Sequence, residues 1–148
     1  MTEVVRIARL GAQGDGIAET DTGEIYVPFA LPGERVRVTL LGRRGWPERV
    51  LDTVPERATP PCPHFMDCGG CAMQHASDEA VAAWKVGVLR ASLAARGIEG
   101  AEIRGIATSP PQGRRRITGT ARRTKQGVHT AFHAGGAARI VPIEACPV

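Results

Sequence analysis

Four cysteines are the residues of this chain best suited to chemistry, three of them arranged as Cys62-x5-Cys68-x2-Cys71 and the fourth at Cys146. Soft thiolates this close together can wrap a metal centre, and Gly69-Gly70 between the last two lets the backbone bend tightly around it. The fourth ligand would have to arrive by folding. Tetrathiolate ligation suits either structural zinc or an iron–sulfur cluster. The Cys-x2-Cys spacing is common to both, whereas Pro63 and Pro147, directly after Cys62 and Cys146, match the Cys-Pro punctuation of cluster proteins. His64 and His75 flank the knot and are read as turn or outer residues rather than ligands.

The elements that must position these groups follow from pattern. Residues 1–58 read as small all-β. Val4, Val5, Ile7 and Leu10 mark a strand, Ile17 to Thr20 and Glu24 to Val27 form a hairpin around Asp21-Thr22-Gly23, and Arg35 to Leu40 alternates strictly. A further strand from Trp46 to Val54 follows the turn at Gly42 to Gly45, and short strands at this spacing predict a small barrel. Gly11, Gly14 and Gly16 do not match G-x-G-x-x-G and no helix pattern follows, so they are read as a tight β connection, not a dinucleotide site. After the cysteine-rich stretch 59–76, Ser77 can cap a helix over 77–98. Asp78 and Glu79 suit its first turn, Val81, Trp84, Val88, Ala91 and Ala95 form an apolar stripe that places Trp84 and Val88 in the core, and Gly97 stops it. Residues 99–148 return to β character at Ile103 to Ala107, Arg114 to Thr124, Val128 to His133 and Arg139 to Ile143, with turns at Gln126-Gly127 and Gly135-Gly136. The expected fold is mainly β with one helix: an OB-like barrel, a cysteine-rich segment, a helix and a partial antiparallel β region.

The chain has 148 residues, too few for a (β/α)₈ barrel of about 250. Its net charge of +4 is uneven. Residues 101–148 hold eight basic against two acidic side chains, while the rest is slightly acidic, as expected for a nucleic-acid-facing element on otherwise neutral modules. No stretch reaches the ~18 consecutive apolar residues of a membrane span. Glu3, Arg6 and Arg9 interrupt the start where a secretion signal would be apolar, so a cytoplasmic location without membrane contact is expected. In that compartment cysteines point to metal or redox chemistry before disulfides.

The run Cys62-Pro63-His64-Phe65-Met66-Asp67-Cys68-Gly69-Gly70-Cys71-Ala72-Met73-Gln74-His75 resembles the cluster-binding segment of the bacterial uracil-C5 methyltransferases of 23S ribosomal RNA. Gly14-Asp15-Gly16-Ile17-Ala18 and Val27-Pro28-Phe29-Ala30-Leu31-Pro32-Gly33-Glu34 are similar to the TRAM domain, the small RNA-binding β-barrel with which many of these enzymes begin. Arg114-Arg115-Arg116, Phe132-His133, Arg139-Ile140-Val141 and Cys146-Pro147-Val148 are similar to the family's next β region and its fourth cluster cysteine. The resemblance implies a [4Fe-4S] cluster on Cys62, Cys68, Cys71 and Cys146, with zinc as the alternative. It also implies an RNA partner, expected to be ribosomal, met by Arg114, Arg115, Arg116, Arg122, Arg123 and Lys125. Where the family commonly carries an aromatic just before its arginine motif, this chain has Gln112-Gly113, which leaves Phe132 as the candidate for stacking.

Such enzymes add a cysteine thiolate to uracil C6, methylate C5 from S-adenosylmethionine and remove the C5 proton with a carboxylate. With all four cysteines assigned to ligation, none is left as nucleophile. No catalytic residue and no S-adenosylmethionine-binding residue is therefore assigned to this chain. The reading is of an N-terminal docking and cluster-binding part, a fragment whose catalytic portion is a possible partner. The alternative is a self-standing RNA-binding iron–sulfur or zinc module without catalysis.

Overall fold

The computed structural model describes residues 1–125, 127–135 and 137–147. Gln126, Gly136 and Val148, and with them part of each turn expected at 126–127 and 135–136, lie outside the described residues. The chain divides into two units, Met1–Ala58 with His75–Ile106, and Thr59–Gln74 with Ala107–Val148.

The first unit holds β1 (Thr2–Arg6), β2 (Arg9–Leu10), β3 (Gly16–Thr20), β4 (Gly23–Val27), β5 (Arg35–Leu41), β6 (Arg44–Asp52) and α1 (Asp78–Ala94). Its six strands form one sheet in the order β1-β5-β6-β4-β3-β2, antiparallel except for β4 and β6, and curled so that β1 and β3 also meet. Alternation sets the inner face. Val36 and Val38 of β5 are buried while the alternating Arg35, Arg37 and Thr39 are exposed. The two valines join Val5, Ile7, Ala18, Ile25, Val27 and Ala30 in the core. Gly16 is required there, since a Cβ would stand 2.8 Å from the Ala30 carbonyl oxygen and 2.9 Å from Ile7 Cγ2. The Gly11–Gly16 stretch is a tight loop closed by Gly11 N–H donating to the Asp15 carbonyl at 2.8 Å, with Gly14 at φ +91°.

On either side of the cysteine-rich stretch the chain is pinched together. Arg57 bridges Ala76, Ala58 N–H donates to the His75 carbonyl at 2.9 Å, and Ser77 N–H donates to the Glu56 carbonyl at 2.8 Å. Ser77 then caps α1, its hydroxyl accepting from Ala80 N–H at 3.2 Å. The helix ends in a Schellman turn, with Gly97 at φ +72° and Ile98 N–H on the Leu93 carbonyl at 3.0 Å. One expectation is corrected here: no residue of α1 is buried. Trp84 and Val88 line an open groove with Leu10, Leu31 and Val54 rather than entering the core, and the indole N–H donates to the Gly11 carbonyl at 2.9 Å.

The second unit carries β7 (Thr120–Thr124), β8 (Gly127–His133) and β9 (Ile140–Pro142) in one antiparallel sheet. Mainly β with one helix is therefore the architecture. Two strand expectations fail. Ile103 to Ala107 pairs with nothing among the described residues, and Gly105 at φ +148° lies outside the strand region. The arginine-bearing strand begins only at Thr120, after Pro110-Pro111 and a turn that places Gln112 at φ +58°. None of the helices is long and apolar enough to cross a membrane, among the described residues.

Candidate metal centre and basic surface

The stretch 62–71 is a chain of turns on the second unit's own sheet. Phe65 N–H donates to the Cys62 carbonyl at 3.1 Å and Cys68 N–H to the His64 carbonyl at 2.8 Å, which sets the loop that presents Cys62 and Cys68. Cys68 bridges Ala134 at the end of β8, and Gly69 N–H donates to the His133 carbonyl at 2.9 Å. Only glycine fits at 69, because a Cβ would meet that same carbonyl oxygen at 2.9 Å and Gly135 N at 3.0 Å. Asp67 forms a two-pronged ion pair with Arg139, just before β9. The guanidinium holds the Asp67 carboxyl below the ordinary carboxylate range, and the carboxylate raises Arg139 in turn. Both side chains are more than half exposed, so the pair fixes position more than it adds stability.

The remaining cysteine comes in from the far end of the chain. Glu144 N–H donates to His64 Nε2 at 3.3 Å, tying the segment that carries Cys146 to the turn that carries Cys62. Gln74 Oε1 accepts from Cys62 N–H at 3.2 Å, and Gly70 N–H points to Cys68 Sγ at 3.4 Å. All four cysteines are free of disulfides and line a single cavity of about 300 Å³ with Phe65, Phe132 and Ile143. Phe132 is half-buried in its wall.

The donor set, four thiols around one cavity, fits a soft metal centre. His64 is engaged with Glu144, and His75 belongs to the first unit. His75 is buried against Phe29, where desolvation first and the Arg57 charge second lower its pKa to about 4, with Glu34 opposing.

The basic residues do not form one block. Arg114 and Arg116 line the cysteine cavity, and Arg115 is exposed beside them. Arg122 and Arg123 are consecutive on β7, opposite His129 and Val128, and so stand on opposite faces of the strand. Lys125 is exposed in the turn after it. The sequence motif identified the thiols but not the groups that hold their loop. His64, Asp67, Gln74 and Arg139 carry no spacing signal, because their partners come from distant stretches.

No family model matches the chain. Individual proteins do. An uncharacterized RNA methyltransferase of Brucella suis is 42% identical over 147 residues, covering 99% of this chain and 35% of the relative. One of Caulobacter vibrioides is 42% identical over 145 residues, covering 96% of this chain and 35% of the relative. The 23S rRNA (uracil(1939)-C(5))-methyltransferase RlmD of Chromohalobacter salexigens is 36% identical over 149 residues, covering 96% and 31%. The chain thus spans about a third of the length of the curated relatives it matches. Over nearly all of its own length the chain is similar to proteins named as RNA methyltransferases, 23S rRNA uracil-C5 methyltransferases among them.

Proposed function

We propose that this chain is the RNA-docking and [4Fe-4S]-binding part of an S-adenosylmethionine-dependent uracil-C5 methyltransferase acting on 23S rRNA in the cytoplasm. Residues 1–58 serve as the TRAM-like barrel and 99–148 as the basic β region. The observation that carries this reading is the gathering of Cys62, Cys68, Cys71 and Cys146 around one cavity that Arg114 and Arg116 also line. The Cys-Pro steps at Cys62-Pro63 and Cys146-Pro147 favour a cluster over zinc. A bound cluster would cross-link the 62–71 loop to the segment after β9. Gly70 N–H, already aimed at Cys68 Sγ, would steady the thiolate there.

Arg114, Arg115, Arg116, Arg122, Arg123 and Lys125 supply phosphate contacts on this reading. Their placement on two faces of β7 and around the cavity suits a looped RNA better than a straight duplex. The four thiols being committed to ligation, methyl transfer requires groups from the remaining two thirds of such a protein.

Anaerobic reconstitution with iron and sulfide tests the centre. About four of each per chain are expected, and Cys146→Ser should lower both. Stoichiometric zinc without sulfide would overturn the cluster. For the RNA, Arg115→Glu with Arg122→Glu should weaken binding and flatten its salt dependence by about 0.7 in slope per lost contact. Unchanged affinity across a salt series would rule the basic residues out.

A further inference from the structure

The loop that carries Cys62, Cys68 and Cys71 meets the segment that leads to Cys146 along an antiparallel seam. From one end of it to the other, Gly69 N–H donates to the His133 carbonyl, Cys68 bridges Ala134, Asp67 pairs with Arg139, and His64 Nε2 accepts from Glu144 N–H. The other joints each use a backbone group, whereas Asp67–Arg139 joins two side chains, and its two prongs fix the orientation of the guanidinium as well as its distance. It also closes a circuit, because the Arg139 carbonyl accepts from Ala134 N–H at 2.8 Å and Ala134 is the residue that bridges Cys68. From Arg139 the chain enters β9, and Ile143 N–H then donates to the Thr130 carbonyl at 3.0 Å, just ahead of Cys146.

The charges at this joint are not typical of the second unit. Its sequence has only two acids, Asp67 and Glu144, against six arginines and one lysine. Asp67 stands directly before Cys68, where a bare carboxylate would repel a centre built on thiolates. Arg139 cancels that charge, and it is the cation from which the chain runs into β9 and on to Cys146. Both side chains are more than half exposed, so the pair contributes little to overall stability. Placed where the two thiol-bearing stretches join, it holds them in register instead.

We propose that Asp67 and Arg139 are positioning residues for the metal centre: their ion pair latches the Cys68 turn to the segment carrying Cys146, and the pair must open before a bound cluster is released. This rests on the reading of the four cysteines as cluster ligands. The test uses the full chain after anaerobic reconstitution with iron and sulfide, and follows loss of the cluster's visible absorbance to an iron chelator. Asp67→Asn and Arg139→Gln should each speed release about 1.5- to 5-fold, the range an exposed pair supports. Arg139→Gln should be the faster of the two, because it leaves the Asp67 carboxylate uncompensated beside the thiolates. Exchanging the charges, Asp67→Arg with Arg139→Asp, should return most of the parent's retention. Raising salt from about 0.01 M to about 1 M should speed release from the parent and leave Asp67→Asn nearly constant, since only the parent has a pair to screen. Circular dichroism checks that each loaded variant folds. If both single variants release the cluster at the parent's rate, the latch is overturned and the cluster stands. Faster release with the parent's salt dependence, or without recovery in the exchanged pair, makes the residues merely structural and overturns it too. If the parent takes up no iron and sulfide, the cluster reading fails and this inference with it.

Discussion

Replacing Glu34 with alanine should destabilise the chain by about 3–4 kcal/mol, although the residue touches neither the cysteines nor the exposed sheet face. Its carboxylate is fully buried and receives Leu31 N–H at 2.8 Å, Arg57 Nη2 at 2.7 Å and Arg57 Nε. Truncation strands the Leu31 amide, which costs about 1–3 kcal/mol, and leaves a guanidinium with only the Phe29 carbonyl as a described acceptor. Breaking a buried pair from one side typically costs about 3–5 kcal/mol, and the 22% exposure of the Arg57 side chain places this one toward the lower end. Removing both charges is another matter. Glu34→Met with Arg57→Met should fall well short of the summed single losses, because no buried charge is left uncompensated. Urea unfolding of the anaerobic chain at pH 7, followed by circular dichroism, measures all three variants. A loss below about 1 kcal/mol for Glu34→Ala, or strict additivity in the double variant, would refute the reasoning.

His75 makes stability depend on pH. Its pKa is lowered to about 4 in the fold against 6.5 in the unfolded chain, so the unfolded state takes up the proton first as pH falls. Its contribution is complete above pH 6.5 and is lost toward pH 4, amounting to about 2 kcal/mol between pH 7 and pH 5. Urea midpoints at the two pH values, compared with those of His75→Gln, should show this slope in the parent alone; equal slopes would exclude His75 as the source. Gly69→Ala forces a Cβ against backbone at 2.9 Å and should cost about 1–3 kcal/mol while lowering iron retained on reconstitution. Full iron content with an unchanged melting temperature would show that the loop does not need its close approach to β8.

Local patterns in the sequence carried the parts of the fold that local physics decides. The β3–β4 hairpin formed around Asp21 and Thr22, the alternation of β5 turned its valines inward, and Ser77 capped the helix as its chemistry requires. Pattern failed where a partner was needed. Ile103 to Ala107 has strand-like residues but no described strand to pair with, and Trp84 has the spacing of a core residue but an open groove beside it. At the candidate site the thiols were legible from spacing, whereas the Asp67–Arg139 pair and the His64–Glu144 contact join residues more than 70 positions apart.

The pinch between residues 56–58 and 75–77 bears on how this kind of chain can change over time. Its hydrogen bonds bring the two ends of the cysteine-rich stretch together, so the intervening residues behave as a closed loop whose entropic cost grows only logarithmically with length, about 0.6 kcal/mol per doubling. Descendants could therefore change the number of residues between the two ends of the pinch at little entropic cost.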